Sequence, residues 1–158
     1  MLQTIMLYDL LKKNNYRPSA LVKTVTGHFE MMLSVNGIDT NFILDTGAAK
    51  TVVDLSFARS QNLAVQESTL RVCGLGVSGM VLYTIKSATL MVGEFTLVLP
   101  QLHAIDLRHV KQSLLEKGAD RPANGIIGAD VLNHHKAIID YAHQLLYLQK
   151  QPVLACLD

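Results

Sequence analysis

Cysteine is scarce in this chain: two residues, Cys73 and Cys156, among 158. Two are too few for a disulfide framework, and a reduced, cytosolic setting is the expectation. An excess of either charge is also missing, since 14 basic and 13 acidic side chains leave a formal net charge of +1. Without a basic stripe, nucleic acid binding has no electrostatic footing. Lys12, Lys13, Arg17 and Lys23 give the N-terminal region a mild positive bias, read as a solvated face or arm. No apolar run approaches the ~20 residues of a bilayer crossing, so no membrane partner is expected. The apolar start is interrupted by Asp9 and lacks a basic leader and a small-residue cleavage site, so a secretory signal is not expected either. Repeats and low-complexity segments are absent from the sequence.

What is present is apolar material. The sequence is 49% hydrophobic, and a domain of this length buries roughly 70% of its unfolded surface. One domain is therefore expected over residues 27–150. Residues 1–26 read as an N-terminal arm or extension, and 151–158 as a tail that could add a dimer-interface strand. Leu2, Ile5, Met6 and Leu10 recur at near-helical spacing, ended by Asn14-Asn15. From Phe29 the period becomes two. Phe29–Val35 and Ile38–Leu44 read as strands joined at Asn36-Gly37, whose residues both tolerate positive φ. Thr51–Val53 reads as a strand, with Asp54 capping a brief helix. Further strands are expected at Leu70–Cys73, Met80–Lys86, Thr89–Val92 and Phe95–Leu99. Asp106 is expected to cap an amphipathic helix through Leu107, Val110, Leu114 and Leu115 that stops near Gly118. Asp130–His134 should be a short helix, and Lys136–Asp140 with Leu145–Gln149 a closing strand pair.

The chemistry concentrates at Asp45-Thr46-Gly47-Ala48, directly after the apolar run Phe42-Ile43-Leu44. A carboxylate at the end of a buried strand loses water and depends on nearby donors. Gly47 lets the backbone turn and brings a main-chain N–H toward it. Later stands Gly125-Ile126-Ile127-Gly128-Ala129-Asp130-Val131-Leu132, an apolar strand running through a glycine into a helix. Between them lies the glycine-rich stretch Val72–Met80. In this order and spacing the segments resemble the retropepsin-like aspartic proteases, from about Gly27 to Leu148.

The resemblance implies a mainly β fold with one or two short helices, a closed barrel forming one lobe per chain. It implies peptide-bond hydrolysis without a cofactor, with Asp45 catalytic and Thr46, Gly47 and Ala48 supporting the loop. Gly74, Leu75, Gly76, Val77, Ser78 and Gly79 would form a mobile flap over the substrate, and Ile126, Ile127 and Gly128 would pack behind the loop. Metal-free hydrolysis needs a base for water and an acid for the carbonyl oxygen or leaving nitrogen. Two adjacent carboxylates sharing a proton supply both. The chain has one such loop, because Asp106, Asp120, Asp130 and Asp140 lack a glycine two residues on. A homodimer pairing Asp45 with its twin resolves the shortfall, and the family's single-domain members imply the same.

Plainer readings accompany each element. Asp45-Thr46-Gly47 could be an ordinary turn, and Gly74-Leu75-Gly76 a hairpin loop without function. Asp130 reads as a helix N-terminal residue favoured by the dipole, Asp140 as a turn opener, and Met31-Met32 as core filling. Cys73 reads as a small apolar packing residue. His134-His135 with His143 invites a metal, but adjacent histidines diverge and no Cys or Glu stands at ligand spacing, so no metal is expected. Ala49-Lys50 departs from the acidic or serine residues usual in the family, and the flap tip lacks an aromatic, Tyr83 standing further on. The alternative function is a catalytically inactive module of the same fold that binds peptides or dimerises.

Overall fold

The computed structural model describes residues 2–74 and 77–151. Helix α1 (Leu2–Lys13) leads into β1 (Tyr16–Ala20), β2 (Val22–Lys23), β3 (Phe29–Val35) and β4 (Ile38–Leu44). Then come β5 (Val52–Asp54), α2 (Leu55–Ser60), β6 (Ala64–Gly74), β7 (Val77–Lys86), β8 (Leu90–Val92), β9 (Phe95–Thr96) and β10 (Leu102–Ile105). Helix α3 (Arg108–Glu116), β11 (Gly125–Ile127), α4 (Ala129–His134), β12 (Ile138–Asp140) and β13 (Leu145–Gln149) complete the chain. The fold is mainly β, with four helices where one or two were expected. No helix among the described residues is long and apolar enough to cross a membrane.

The β3–β4 hairpin turns where the sequence indicates, with Asn36 at φ 50° and Gly37 at φ 85°. The larger sheet runs β6-β7-β10-β5-β11-β4-β3-β8-β9, with β2 attached to β3; a smaller one runs β1-β13-β12. This corrects the expected closed barrel: among the described strands β6 and β9 are edges that do not meet. The expected Phe95–Leu99 strand stops at Thr96, and the cause is a side chain distant in sequence. The Val98 N–H donates to His135 Nε2 at 2.9 Å rather than to another strand, and Pro100 follows.

The N-terminal region joins the body. Tyr16–Ala20 pairs antiparallel with Leu145–Gln149, and Leu11 and Leu21 are buried. Of the expected interface tail, 151–158, residues 152–158 lie outside the described residues.

Strands β4, β5 and β11 bury both faces. Phe42, Val53 and Ile127 enter one apolar cluster, whereas Ile43, Val52 and Ile126 enter a second with Leu82, Leu107 and Leu114. Two-sided burial explains why these strands read as continuous apolar runs rather than alternating ones. Each large side chain so buried stabilises the fold by about 1.5–3 kcal/mol. Helix α3 covers the second face. Its N-terminus differs from expectation: Leu107 occupies the cap without a side-chain bond. The Asp106 carboxylate instead accepts from the Arg108 N–H at 3.0 Å and pairs with its guanidinium at 2.5 Å. Leu115, expected on the apolar face, is exposed.

Asp54 fixes both helices to this frame. It is fully buried and accepts from Phe57 N at 3.1 Å, Leu107 N at 3.1 Å and Lys111 Nζ at 2.7 Å, with the Ser56 hydroxyl as a fourth donor. Burial alone would raise its carboxyl, but Lys111, Ser56 and the two N–H groups outweigh that and hold it below the usual range.

Candidate active site

Strand β4 delivers Asp45 to its place, and β11 holds it there. The two pair in parallel, with Ile127 opposite Leu44, and the ladder continues as Asp45 N–H donates to Ile127 O at 3.1 Å. The loop then doubles back, Ala48 N–H donating to Asp45 O at 3.2 Å. Gly47 N–H donates to Asp45 Oδ1 at 2.9 Å, the bond its position in the sequence implies. Asp45 remains partly open to solvent, and Thr46 and Gly47 are exposed.

Behind the loop, Ala129 N–H donates to Ala48 O at 2.7 Å. This approach is close enough to demand glycine at 128, where a Cβ would stand 2.6 Å from Lys50 O and 2.7 Å from Ala48 O. The buried Thr51 closes the assembly. Its hydroxyl donates to Asp130 Oδ1 at 2.7 Å and accepts from Gly128 N–H at 3.0 Å, while its own N–H donates to Asp130 Oδ1 at 2.8 Å. Asp130 also accepts from Val131 N–H at 2.8 Å, so the dipole reading of this residue covers half of what it does. Thr51 carried no signal in the sequence beyond its nearness to the loop.

Two clefts open at Asp45. One, of about 280 Å³, runs between the strand ends Ile43 and Ile126 and the face of α3, with His28, His109 and Lys117 among its lining. The other, of about 190 Å³, lies toward Phe29, Thr46, Ile139 and Tyr141. Asp45 is the one carboxylate among the described residues of either lining.

The structure thus gathers Asp45, Thr46, Gly47, Ala48, Ile126, Ile127 and Gly128 at one place. Of the expected flap, Gly74, Val77, Ser78 and Gly79 belong to the β6–β7 hairpin, where Gly74 pairs with Val77. Leu75 and Gly76 lie outside the described residues.

His134 and His135 do not converge on a metal, and the described residues hold no cluster of three or more His, Cys, Asp or Glu suited to one. His135 is instead a buried link. Its Nδ1 bonds Gln149 O at 3.0 Å and its Nε2 accepts from Val98 N–H. Burial pushes its ring below the usual histidine range, against the Gln149 bond. His103 on β10 is likewise pushed down by burial, and its Nδ1 has no partner among the described residues.

A model of the aspartyl protease family matches residues 31–131, a span holding the Asp45 loop, the β6–β7 hairpin and the Gly128 element. The chain belongs to the aspartyl protease family. Among solved structures, a retropepsin-like aspartic protease from Rickettsia conorii is similar at TM-score 0.53 and 18% identity, covering 84% of this chain and 89% of that one. The retroviral protease-like domain of Ddi1 from Leishmania major gives 0.49 and 16%, covering 78% and 93%. EIAV protease complexed with an inhibitor gives 0.48 and 17%, covering 70% and 90%. No curated protein matches the sequence significantly. At such identities the likeness concerns the fold: this member of the aspartyl protease family has a retropepsin-like architecture.

Proposed function

We propose that this aspartyl protease family member is a homodimeric endopeptidase in which Asp45 of each copy forms half of a proton-sharing dyad. One observation carries the reading. A partly exposed carboxylate, braced by Gly47 N–H at the mouth of two clefts, has no second carboxylate beside it among the described residues of their linings. Half a dyad per chain is completed by a two-fold axis, which presents the same loop twice.

In the dimer the ionised member takes a proton from water as its oxygen attacks the scissile carbonyl, and the protonated member passes its proton to the carbonyl oxygen. The tetrahedral intermediate collapses when a proton reaches the leaving nitrogen and the C–N bond breaks. The two aspartates titrate as a unit, with two apparent pKa values that belong to the pair. Thr46, exposed at the loop tip, bonds across to the partner loop, and Ala48 leaves room beneath the carboxylate. The β6–β7 hairpin closes over an extended peptide and adds main-chain hydrogen bonds to it as a neighbouring strand does. No cofactor takes part.

Dilution tests this reading. Specific activity should fall as protein is diluted through the dimer dissociation range, in step with the sedimenting dimer fraction. Undiminished activity from a species that sediments as a monomer would remove the shared site. A dimer that binds peptides but cleaves none at any acidity would favour the inactive binding module instead.

A further inference from the structure

We infer that helix α3 turns the larger cleft beside Asp45 into a subsite for an acidic substrate side chain, with Lys117 and His109 receiving its carboxylate. The inference rests on the protease reading above and specifies its substrate.

The argument begins with the helix. Val110 and Leu114 present an apolar wall to the cleft, against which the methylenes of a side chain can lie. His109, Ser113 and Lys117 follow one another at four-residue spacing, so they form a single stripe along the helix, and all three line the same cleft. An apolar wall edged by N–H donors fits glutamate, whose two methylenes end in a carboxylate. Lys117 makes no ion pair among the described residues, so its charge is available to a ligand. The wall itself is fixed, because Asp54 grips α3 through Leu107 N–H and Lys111. A rigid wall keeps the donors in place before the substrate arrives, which lowers the cost of ordering them.

His28 faces the same cleft from the other side. Thr24 Oγ1 donates to His28 O at 3.1 Å, which uses its only proton. Thr26 must then donate to Thr24 across 2.8 Å, and His28 Nδ1–H must donate to Thr26 across 2.8 Å. Nε2 is left as an acceptor on the neutral ring and a donor on the charged one. The acidic neighbours compete weakly with a substrate carboxylate. In the dyad Asp45 shares one proton with its twin, which lowers the charge each carries, Asp120 lies outside the described lining, and Glu30 is buried, with burial pushing its carboxyl up.

The test uses the full-length dimer on a mixed peptide library, with cut sites read by mass spectrometry. Glutamate should be enriched at one position flanking the cut. Matched peptides with Glu or Gln there should differ in kcat/KM by about tenfold, the size of one charge-assisted hydrogen bond. Lys117→Glu should reverse the preference toward a lysine peptide, and His109→Gln should reduce it. A parallel measurement binds uncleavable reduced-amide analogues of the same pair to the Asp45→Asn variant, followed by fluorescence anisotropy. Equal cleavage and equal binding of the pair, or a ratio unmoved by Lys117→Glu, overturns the subsite even where proteolysis is strong. Selective binding of the Glu analogue without any cleavage by the native protein supports the subsite and overturns the protease reading.

Discussion

Asp45 and Asp54 stand nine positions apart, at either end of the short segment that carries β5, and they are treated in opposite ways. Asp54 is fully buried and receives four donors, one of them an ammonium. Asp45 is partly open and receives one, the Gly47 N–H. A buried carboxylate gripped by four donors holds structure together. One left largely free at the mouth of two clefts has capacity for water, a proton or a substrate. The contrast separates a buried joint from an open carboxylate without reference to any relative.

Four experiments press on that contrast. Asp45→Asn keeps the shape of the loop but removes the base, so peptidase activity should fall by about a thousandfold or more. The unfolding midpoint should stay near the native one. A variant that turns over normally would overturn the catalytic assignment. Asp54→Ala should do the reverse. It strips Lys111 of its buried partner and unties α3, at a cost of about 3–5 kcal/mol by urea denaturation. A loss under 1 kcal/mol would show that the joint is redundant.

Gly128→Ala sits between the two. An added Cβ meets the Ala48 and Lys50 carbonyls, so the loop must shift, and activity should drop by about tenfold to a hundredfold, since misplacement of an ångström has that effect. The smallest effect belongs to Arg108→Ala. Its pair with Asp106 is on the surface, where such pairs contribute little, and neither stability nor turnover should change measurably.

Acid distinguishes the two regions as well. His135 is held neutral in the folded state by burial and by its role as acceptor for Val98 N–H. The unfolded chain takes up that proton below about pH 6.5. Stability from His135 is therefore complete above that value and is lost as pH falls through the depressed folded one. Asp54, with its carboxyl held low, contributes until pH falls below the ordinary carboxylate range, and its share is lost on the way down through its folded value. Acid unfolding should come in two stages, the first flattened by His135→Gln.

Much of the site was legible because its signals are local. The turn at Asn36-Gly37, the cap at Asp54 and the loop at Asp45 each depend on residues within three positions of one another. What stayed hidden depends on distant partners. Nothing beside Asp54 announces Lys111, and nothing near Val98 announces His135, whose ring takes the N–H that would have extended β9. Asp106 matched the pattern of a helix cap, yet the arginine two positions on claims its carboxylate. Helix α3 was visible as an amphipathic segment. That it walls the Asp45 cleft follows only from which face of the sheet it covers. The open sheet could not be read either, because closure is a property of strand ends that meet or miss in space.

The parallel pairing of Leu44 with Ile127 has a consequence for the chain as it is made. Asp45 cannot be seated until β11 exists to receive its N–H, and the brace behind it waits for residue 130. A nascent polypeptide that has passed residue 45 but not residue 130 thus carries this aspartate without its seat. Long-range closure of this kind acts as a timer, with the seat of the aspartate finished well after the aspartate itself is made.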